Sequence, residues 1–365
     1  MYEISSLAYR DLATTGNDQT ILVTGESGAG KTETVKILMD HLASAQFSRP
    51  IEDDDQPNNS NDIVARVIKS SPVFEAFGNA KTARNNNSSR FGKFVRLQFR
   101  VEPQAEGNIG DRDVPYADLV GSTVSTYLLE KNRVVFHAEG ERTFHIFYQL
   151  LAAPSDFKQQ LWPSFGQASA DDFLYTVGST STCIDHDHGL WTKTQNALEL
   201  FKFRNESLIV LMQALGIVLQ LGNLVFEHDS TSQHEHSSLI SNQDDLNRLS
   251  EMIGISSNDL RETMTSRTLD APGAESIRVS LTPEAAKEAC DALAKEIYSR
   301  IFDVIVKRVN EYTLERKESQ GNSLFGQISL LDIFGFEHFE VNRFEQLCIN
   351  YCNEKLQSKY VVSAI

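Results

Sequence analysis

The sequence predicts an α/β chain, a mixed central sheet with flanking helices joined to a largely helical further part. Three observations predict it. An apolar run at residues 21–23 collides with "GESGAGKT", residues 25–32. "FGKFVRLQF", residues 91–99, alternates apolar and polar side chains with the period of a strand. Residues 151–322 are mostly helical in pattern, with polar loops between the apolar stretches.

In chain order, residues 1–43 read as helix, strand, glycine-rich loop and helix. Ile21, Leu22 and Val23 are the β-branched and aliphatic residues of a buried strand. Gly25, four residues, Gly30, Lys31 and Thr32 then spell G-x-x-x-x-G-K-T. The glycines let backbone amides close round an anion, and the positive end of the helix starting near Lys31 adds to the cradle. The Lys31 ammonium reaches outer phosphates and the Thr32 hydroxyl can ligand Mg²⁺. Residues 44–62 are polar, carry Asp53, Asp54 and Asp55, and read as a solvated surface loop. The strand at 91–99 is followed by "STVSTYLLE", residues 122–130, as the next strand.

Residues 207–226, "SLIVLMQALGIVLQLGNLVF", approach membrane-spanning length, but Gln213, Gln220 and Asn223 interrupt them and no basic flank orients them. They read as a fully buried helix ending at Gly222. "FEHDSTSQHEHSS", residues 226–238, is read as a solvated loop whose histidines lack the spacing of a metal site. "GQISLLDIFGFE", residues 326–337, is an apolar strand ending in an acid. The segments are thus 1–150 (the phosphate-binding core), 151–322 (mostly helical) and 323–365 (the last strand and a helix).

Composition limits the partners. With 365 residues and 41% hydrophobic content the chain can bury a sizeable core. A net charge of −16 argues against a grip on DNA or RNA, which takes a basic stripe. The four cysteines, Cys183, Cys290, Cys348 and Cys352, suit free thiols in a reducing compartment. The start, "MYEISSLAYR", has neither the basic nor the apolar region of a secretory leader.

Phosphoryl transfer needs more than a cradle: a Mg²⁺ partner, a group that orients the attacking water, and a sensor of the outermost phosphate. Asp332 stands at the carboxyl end of the last strand, where a parallel sheet points its ligand residues. Gly335 can offer an unobstructed amide to a phosphate oxygen. "RNNNSSRFGK", residues 84–93, taken alone is a polar loop before a strand. Arg90 and Glu337, each taken alone, read as surface charges.

Together these stretches resemble a known family. "GESGAGKTE", "NNNSSRFGKF" and "LDIFGFE", in that order, with "AFGNAKT" at 76–82 and "NYCNEKLQ" at 350–357, are similar to the phosphate loop, switch I, switch II and relay-helix start of the myosin motor family. The match runs from about Leu7 to Gln357. The resemblance implies a fold of the P-loop NTPase type with a helical upper subdomain. It also implies roles. Gly25, Glu26, Ser27, Gly28, Ala29, Gly30, Lys31 and Thr32 would bind the phosphates of ATP, and Asn85 would touch the nucleotide. Thr32 and Ser89 would ligand Mg²⁺ directly and Asp332 through water. Ser88 would sit beside the attacking water, Gly335 would bind the γ-phosphate, and Arg90 would pair with Glu337 when the switches close. Glu275 would be the acidic residue of an actin-contacting loop; on its own it reads as one more exposed glutamate.

The implied activity is Mg-ATP hydrolysis coupled to movement on actin filaments, in a cytoplasmic, cytoskeleton-associated protein without a membrane span. The resemblance also implies an incomplete motor domain: no Asn-Pro dipeptide of the adenine-contacting kind occurs, and after Gln357 the chain reads "SKYVVSAI". Light chains and cargo would bind segments not in this sequence. The alternative reading is a non-catalytic remnant that binds partners without turnover. A kinesin-type motor fails on switches reading "SSRFG" and "DIFGF", and a guanine-nucleotide switch is disfavoured by the lack of Asn-Lys-x-Asp.

Overall fold

The computed structural model describes residues 1–26, 28–44, 59–101, 117–178, 184–230, 237–269, 276–314, 324–338 and 342–364. They divide into two compact units, Met1–Glu130 with Val304–Ile365, and Lys131–Asp303.

In the first unit, helix α1 (Tyr2–Thr15) leads to strand β1 (Gln19–Val23), the phosphate-loop segment and helix α2 (Lys31–Ser44). Helices α3 (Asn59–Lys69) and α4 (Ser71–Gly78) precede the short strands β2 (Asn79–Ala80) and β3 (Ser88–Ser89) and the long strands β4 (Gly92–Val101) and β5 (Ala117–Tyr127). The expected surface loop at 44–62 therefore ends in helix at Asn59, and its Asp53–Asp55 run lies outside the described residues.

In the second unit, α5 (His145–Leu151), α6 (Ser155–Leu161), α7 (Ile184–Leu200) and α8 (Glu206–Gly222) come first. A hairpin of β6 (Phe226–His228) and β7 (Ser238–Ile240) follows. The ends of the expected histidine loop are thus strand rather than loop. Helices α9 (Gln243–Ile253) and α10 (Ser257–Thr265) and a second hairpin, β8 (Ser266–Leu269) with β9 (Ile277–Ser280), complete the series before α11 (Pro283–Thr313). α11 carries the chain back: its residues from Val304 onward belong to the first unit, which β10 (Leu324–Asp332) and α12 (Phe344–Ala364) complete.

The sheet order is β1-β10-β4-β5. β10 runs parallel to β1, with Val23 opposite Asp332, and antiparallel to β4, with Asp332 opposite Lys93. β5 runs antiparallel to β4, so the sheet is mixed, as expected. In β4 the buried face is Val95, Leu97, Phe99 and Val101; Phe94 lies half-buried on the other, which is what period-two alternation dictates for an even-numbered neighbour. Beside β5, Asn310 of α11 bonds both peptide groups of Val124: the Val124 N–H donates to Asn310 Oδ1 (2.7 Å) and Asn310 Nδ2 donates to the Val124 carbonyl (2.8 Å).

Aromatic packing dominates the second unit's core. Phe144 stacks on Tyr298 with ring centroids 4.8 Å apart, and Phe147 packs on the same tyrosine at 5.2 Å. α8 ends at Gly222 as expected, but it is not wholly buried: Leu208, Leu211, Leu215, Val218 and Leu219 face the core while Val210 is 56% exposed. Among the described residues no helix is long and apolar enough to cross a membrane.

Candidate functional site

The site is built where β1 and β10, side by side and parallel, both end. The turn after β1 is tight. Gly28 and Gly30 have φ of 84° and 83°, the left-handed region that excludes most side chains, and this is why glycine stands at both positions. The Ala29 N–H donates to the Glu26 carbonyl (3.2 Å). α2 opens with Lys31 itself, so the helix N-terminus faces into the turn. Lys31 Nζ donates to the carbonyls of Gly25 (2.8 Å) and Glu26 (2.6 Å), lying across the loop. Burial pushes its pKa down, and the charges of Asp332, Glu337 and Glu26 offset part of that. Ser27, one of the expected contacts, lies outside the described residues.

Next to the cradle, three oxygen-bearing side chains from three elements converge. Thr32 of α2 and Asp332 at the end of β10 line the same small pocket, and the Thr32 hydroxyl favours the charged form of the Asp332 carboxylate. The Thr32 and Ser89 hydroxyl oxygens are 3.2 Å apart. Asp332 is 4% exposed, and burial raises its pKa against the pull of Lys93, the Thr32 hydroxyl and Lys31. Lys93, opposite Asp332 in the sheet and wholly buried, has its pKa lowered by burial and raised in part by Asp332 and Glu75. Thr32, Ser89, Lys93 and Asp332 line this small pocket with Lys36, Glu75 and Asn79. Its oxygen donors are hard ligands of the kind Mg²⁺ takes, without the His or Cys that softer metals prefer.

The segment before β4 and the segment after β10 meet at Arg90, which is 1% exposed. Arg90 Nη1 and Nη2 donate to the two carboxylate oxygens of Glu337 (2.5 and 3.2 Å), a forked ion pair. Nη1 also donates to Ser88 Oγ (3.2 Å), and Nε donates to Glu130 Oε2 (2.7 Å). Burial alone would lower the Arg90 pKa; the Glu130 charge and the bonds and charge of Glu337 outweigh it and hold the guanidinium above its ordinary value. A second link joins the segments, from Arg84 Nη2 to the His338 carbonyl (2.6 Å).

The segment after β10 is in turn tied to α12. The Glu337 N–H donates to Asn350 Oδ1 (2.9 Å), and Asn350 Nδ2 donates to the Glu337 carbonyl (2.7 Å). Gln346 Nε2 donates to Glu337 Oε2 (3.3 Å), and Asn353 Nδ2 to the Phe334 carbonyl (3.0 Å). Gly335 is buried between these attachments.

The structure thus bonds Thr32 to Ser89, and Ser88 and Glu337 to Arg90, and sets Asp332 beside Thr32, Ser89 and Lys93. Asn85 is held otherwise: its Oδ1 accepts from the Asn87 N–H (2.9 Å) and its backbone pairs with Thr82. Glu275 lies outside the described residues. Sequence reasoning missed Glu130, Lys93, Gln346, Asn350 and Asn353. Gln346, Asn350 and Asn353 recur at i, i+4 and i+7, one helix face, and that polar stripe was the available signal.

A family model described as "Myosin head (motor domain)" matches residues 1–364. The chain is 37% identical to the unconventional myosin-Ia of Mus musculus over 366 residues, which covers 99% of this chain and 32% of that protein. It is 37% identical to the unconventional myosin-Ia of Gallus gallus over 365 residues, 100% of this chain and 32% of that one. To the myosin-H heavy chain of Dictyostelium discoideum it is 35% identical over 409 residues, 99% of this chain and 22% of that protein. The chain spans about a third or less of the length of these three relatives.

Proposed function

This chain belongs to the myosin motor-domain family, and from that premise we propose that it forms the nucleotide-handling part of an actin-based motor that binds and hydrolyses Mg-ATP. The observation that carries the reading is the buried fork of Arg90 on Glu337, which joins the two segments flanking the phosphate cradle. When phosphates enter, Lys31 exchanges the Gly25 and Glu26 carbonyls for phosphate oxygens, a charge-assisted bond in place of two neutral ones. Residues 25–32 supply the remaining phosphate contacts and Asn85 a further contact to the nucleotide. Thr32 and Ser89 would hold Mg²⁺ directly and Asp332 through water; when bound, the ion neutralises charge developing on the outer phosphates.

Ser88, fixed by Arg90, is placed to relay a proton from the attacking water. Gly335 offers its amide to the γ-phosphate. Closure of the Arg90–Glu337 pair completes this arrangement, and the Asn350 and Asn353 bonds pass the position of switch II to α12. The proposed partner is the actin filament, with Glu275 in a loop that meets it, and the proposed setting is the cytoplasmic cytoskeleton.

The test uses the full 365-residue chain, a fluorescent ATP analogue and phosphate release with and without actin filaments. The chain is expected to bind Mg-ATP and release phosphate. Lys31→Ala should weaken binding by about 10- to 100-fold, the worth of one hydrogen bond to a charged group. Unchanged affinity in that variant would overturn the assignment, and tight binding without release would favour the non-catalytic alternative.

A further inference from the structure

Arg90 has two carboxylate partners, and they are anchored to different pieces of the first unit. Glu130, three residues past the end of β5, is cross-bonded to Arg90 through both main chain and side chain. Its N–H donates to the Arg90 carbonyl (3.0 Å), and Arg90 Nε donates to its Oε2 (2.7 Å). The Arg90 N–H donates to the Gly78 carbonyl (2.8 Å), which fixes the same stretch of backbone to the end of α4. Glu337 meets Arg90 through its carboxylate, while both of its peptide groups are bonded to Asn350 on α12. If the two pieces part, Arg90 leaves with Glu130 and Glu337 leaves with α12.

Electrostatics makes that partition matter. The Arg90 side chain has no solvent exposure, and a guanidinium cannot shed its proton to escape a buried site. A buried cation that loses its sole counter-charge is strongly destabilised, so a latch made of Arg90 and Glu337 alone would resist opening.

We propose that Glu130 is the resident counter-ion of Arg90: a positioning residue that keeps the guanidinium seated and neutralised when Glu337 withdraws, so that the latch opens from the Glu337 side alone. The proposal rests on the reading of Arg90–Glu337 as a latch. It has a consequence for the chemistry. Ser88 hangs on the same guanidinium, so it stays in register through the open state and does not have to be repositioned at each closure.

The first test does not involve nucleotide. Urea unfolding of the full chain is measured for Glu130→Gln, Glu337→Gln and the double variant. Each single change leaves Arg90 one carboxylate, so the double variant should lose more stability than the sum of the two single losses, and adding Arg90→Met to it should recover part of the loss. Strict additivity would overturn the proposal. If the double variant does not fold, recovery of a folded chain by Arg90→Met supports the proposal and failure to recover overturns it.

The second test reads function. Glu130→Gln should slow single-turnover ATP cleavage by about tenfold while leaving nucleotide affinity within about twofold, and Glu130→Asp should restore part of the rate. A merely structural residue would lower affinity and rate together, and a wild-type cleavage rate would also overturn the proposal. If the wild-type chain binds ATP and never cleaves it, the hydrolase reading fails, and the unfolding cycle still decides the role of Glu130.

Discussion

Two buried arginines, one in each unit, hold a carboxylate in the same forked geometry and differ in what surrounds the fork. In the second unit Arg142 Nη1 and Nη2 donate to Asp187 at 3.2 and 2.6 Å, and the guanidinium lies over the Tyr148 ring at 3.5 Å from its centroid. Arg142 and Asp187 are 45 residues apart, and each sits against or within a helix packed on an aromatic core. In the first unit Arg90 and Glu337 are 247 residues apart, and each is held by its own set of bonds, to Gly78 and Glu130 on one side and to Asn350 on the other. The same ion pair can fasten a core or, on the proposed latch reading, join two pieces that part. What decides is whether each partner has another anchor when the pair breaks.

The sharpest break of this comparison is Asp187→Ala. It strands Arg142 without its ion-pair partner and should cost about 3–5 kcal/mol of stability, read by urea denaturation, with ATP affinity unchanged. Glu337→Ala should cost less stability than Asp187→Ala, since Arg90 keeps Glu130. Its effect should fall on function: phosphate release slowed by about 10²- to 10³-fold, as for loss of one preorganised transition-state contact, with nucleotide binding retained. If Glu337→Ala lost binding and kept its turnover per bound ATP, the two pairs would not differ in kind.

A smaller effect concerns His145, next to Arg142. Burial, then the Arg142 and His186 charges, hold its pKa down to about 3. Below pH 6.5 the unfolded chain takes up a proton that the folded chain refuses. Stability present above that pH is therefore lost as pH falls from 6.5 towards 3, by about 1.4 kcal/mol per pH unit at most. The urea midpoint followed from pH 7 to 4.5 should show this slope, and His145→Gln should flatten it. An unflattened slope would assign the proton uptake to another group.

How much of this was legible in the sequence follows from distance along the chain. The cradle was legible because Gly25, Gly30, Lys31 and Thr32 act within eight residues, and Asp332 because an acid at the end of an apolar strand has a stereotyped place. The Arg90–Glu337 pair came from family resemblance alone, since nothing local distinguishes either charge from a solvated one. Glu130 stayed hidden for a different reason: a glutamate at the end of an expected strand reads as exposed, and its partner lies 40 residues upstream. Asn350 and Asn353 show in the sequence only as part of a polar stripe on one helix face, which signals a polar contact but not that their amides bond the peptide groups of Glu337 and Phe334. α8 misled in the opposite sense, because its nearly continuous apolar run suggested burial all round whereas Val210 faces solvent.

The two asparagines on α12 also set a ratio of lengths. Asn350 grips Glu337 and Asn353 grips Phe334, two points about 4.5 Å apart along the helix axis, while Ala364 lies about 16 Å beyond the second grip at 1.5 Å per residue. With Asn353 as fulcrum, a shift of about 1 Å at Glu337 swings the far end of a rigid α12 by about 3–4 Å. On the proposed latch reading, the short arm of this seesaw is about one helical turn and the described long arm about three, so opening the Arg90–Glu337 fork would become a displacement comparable to a side chain's width.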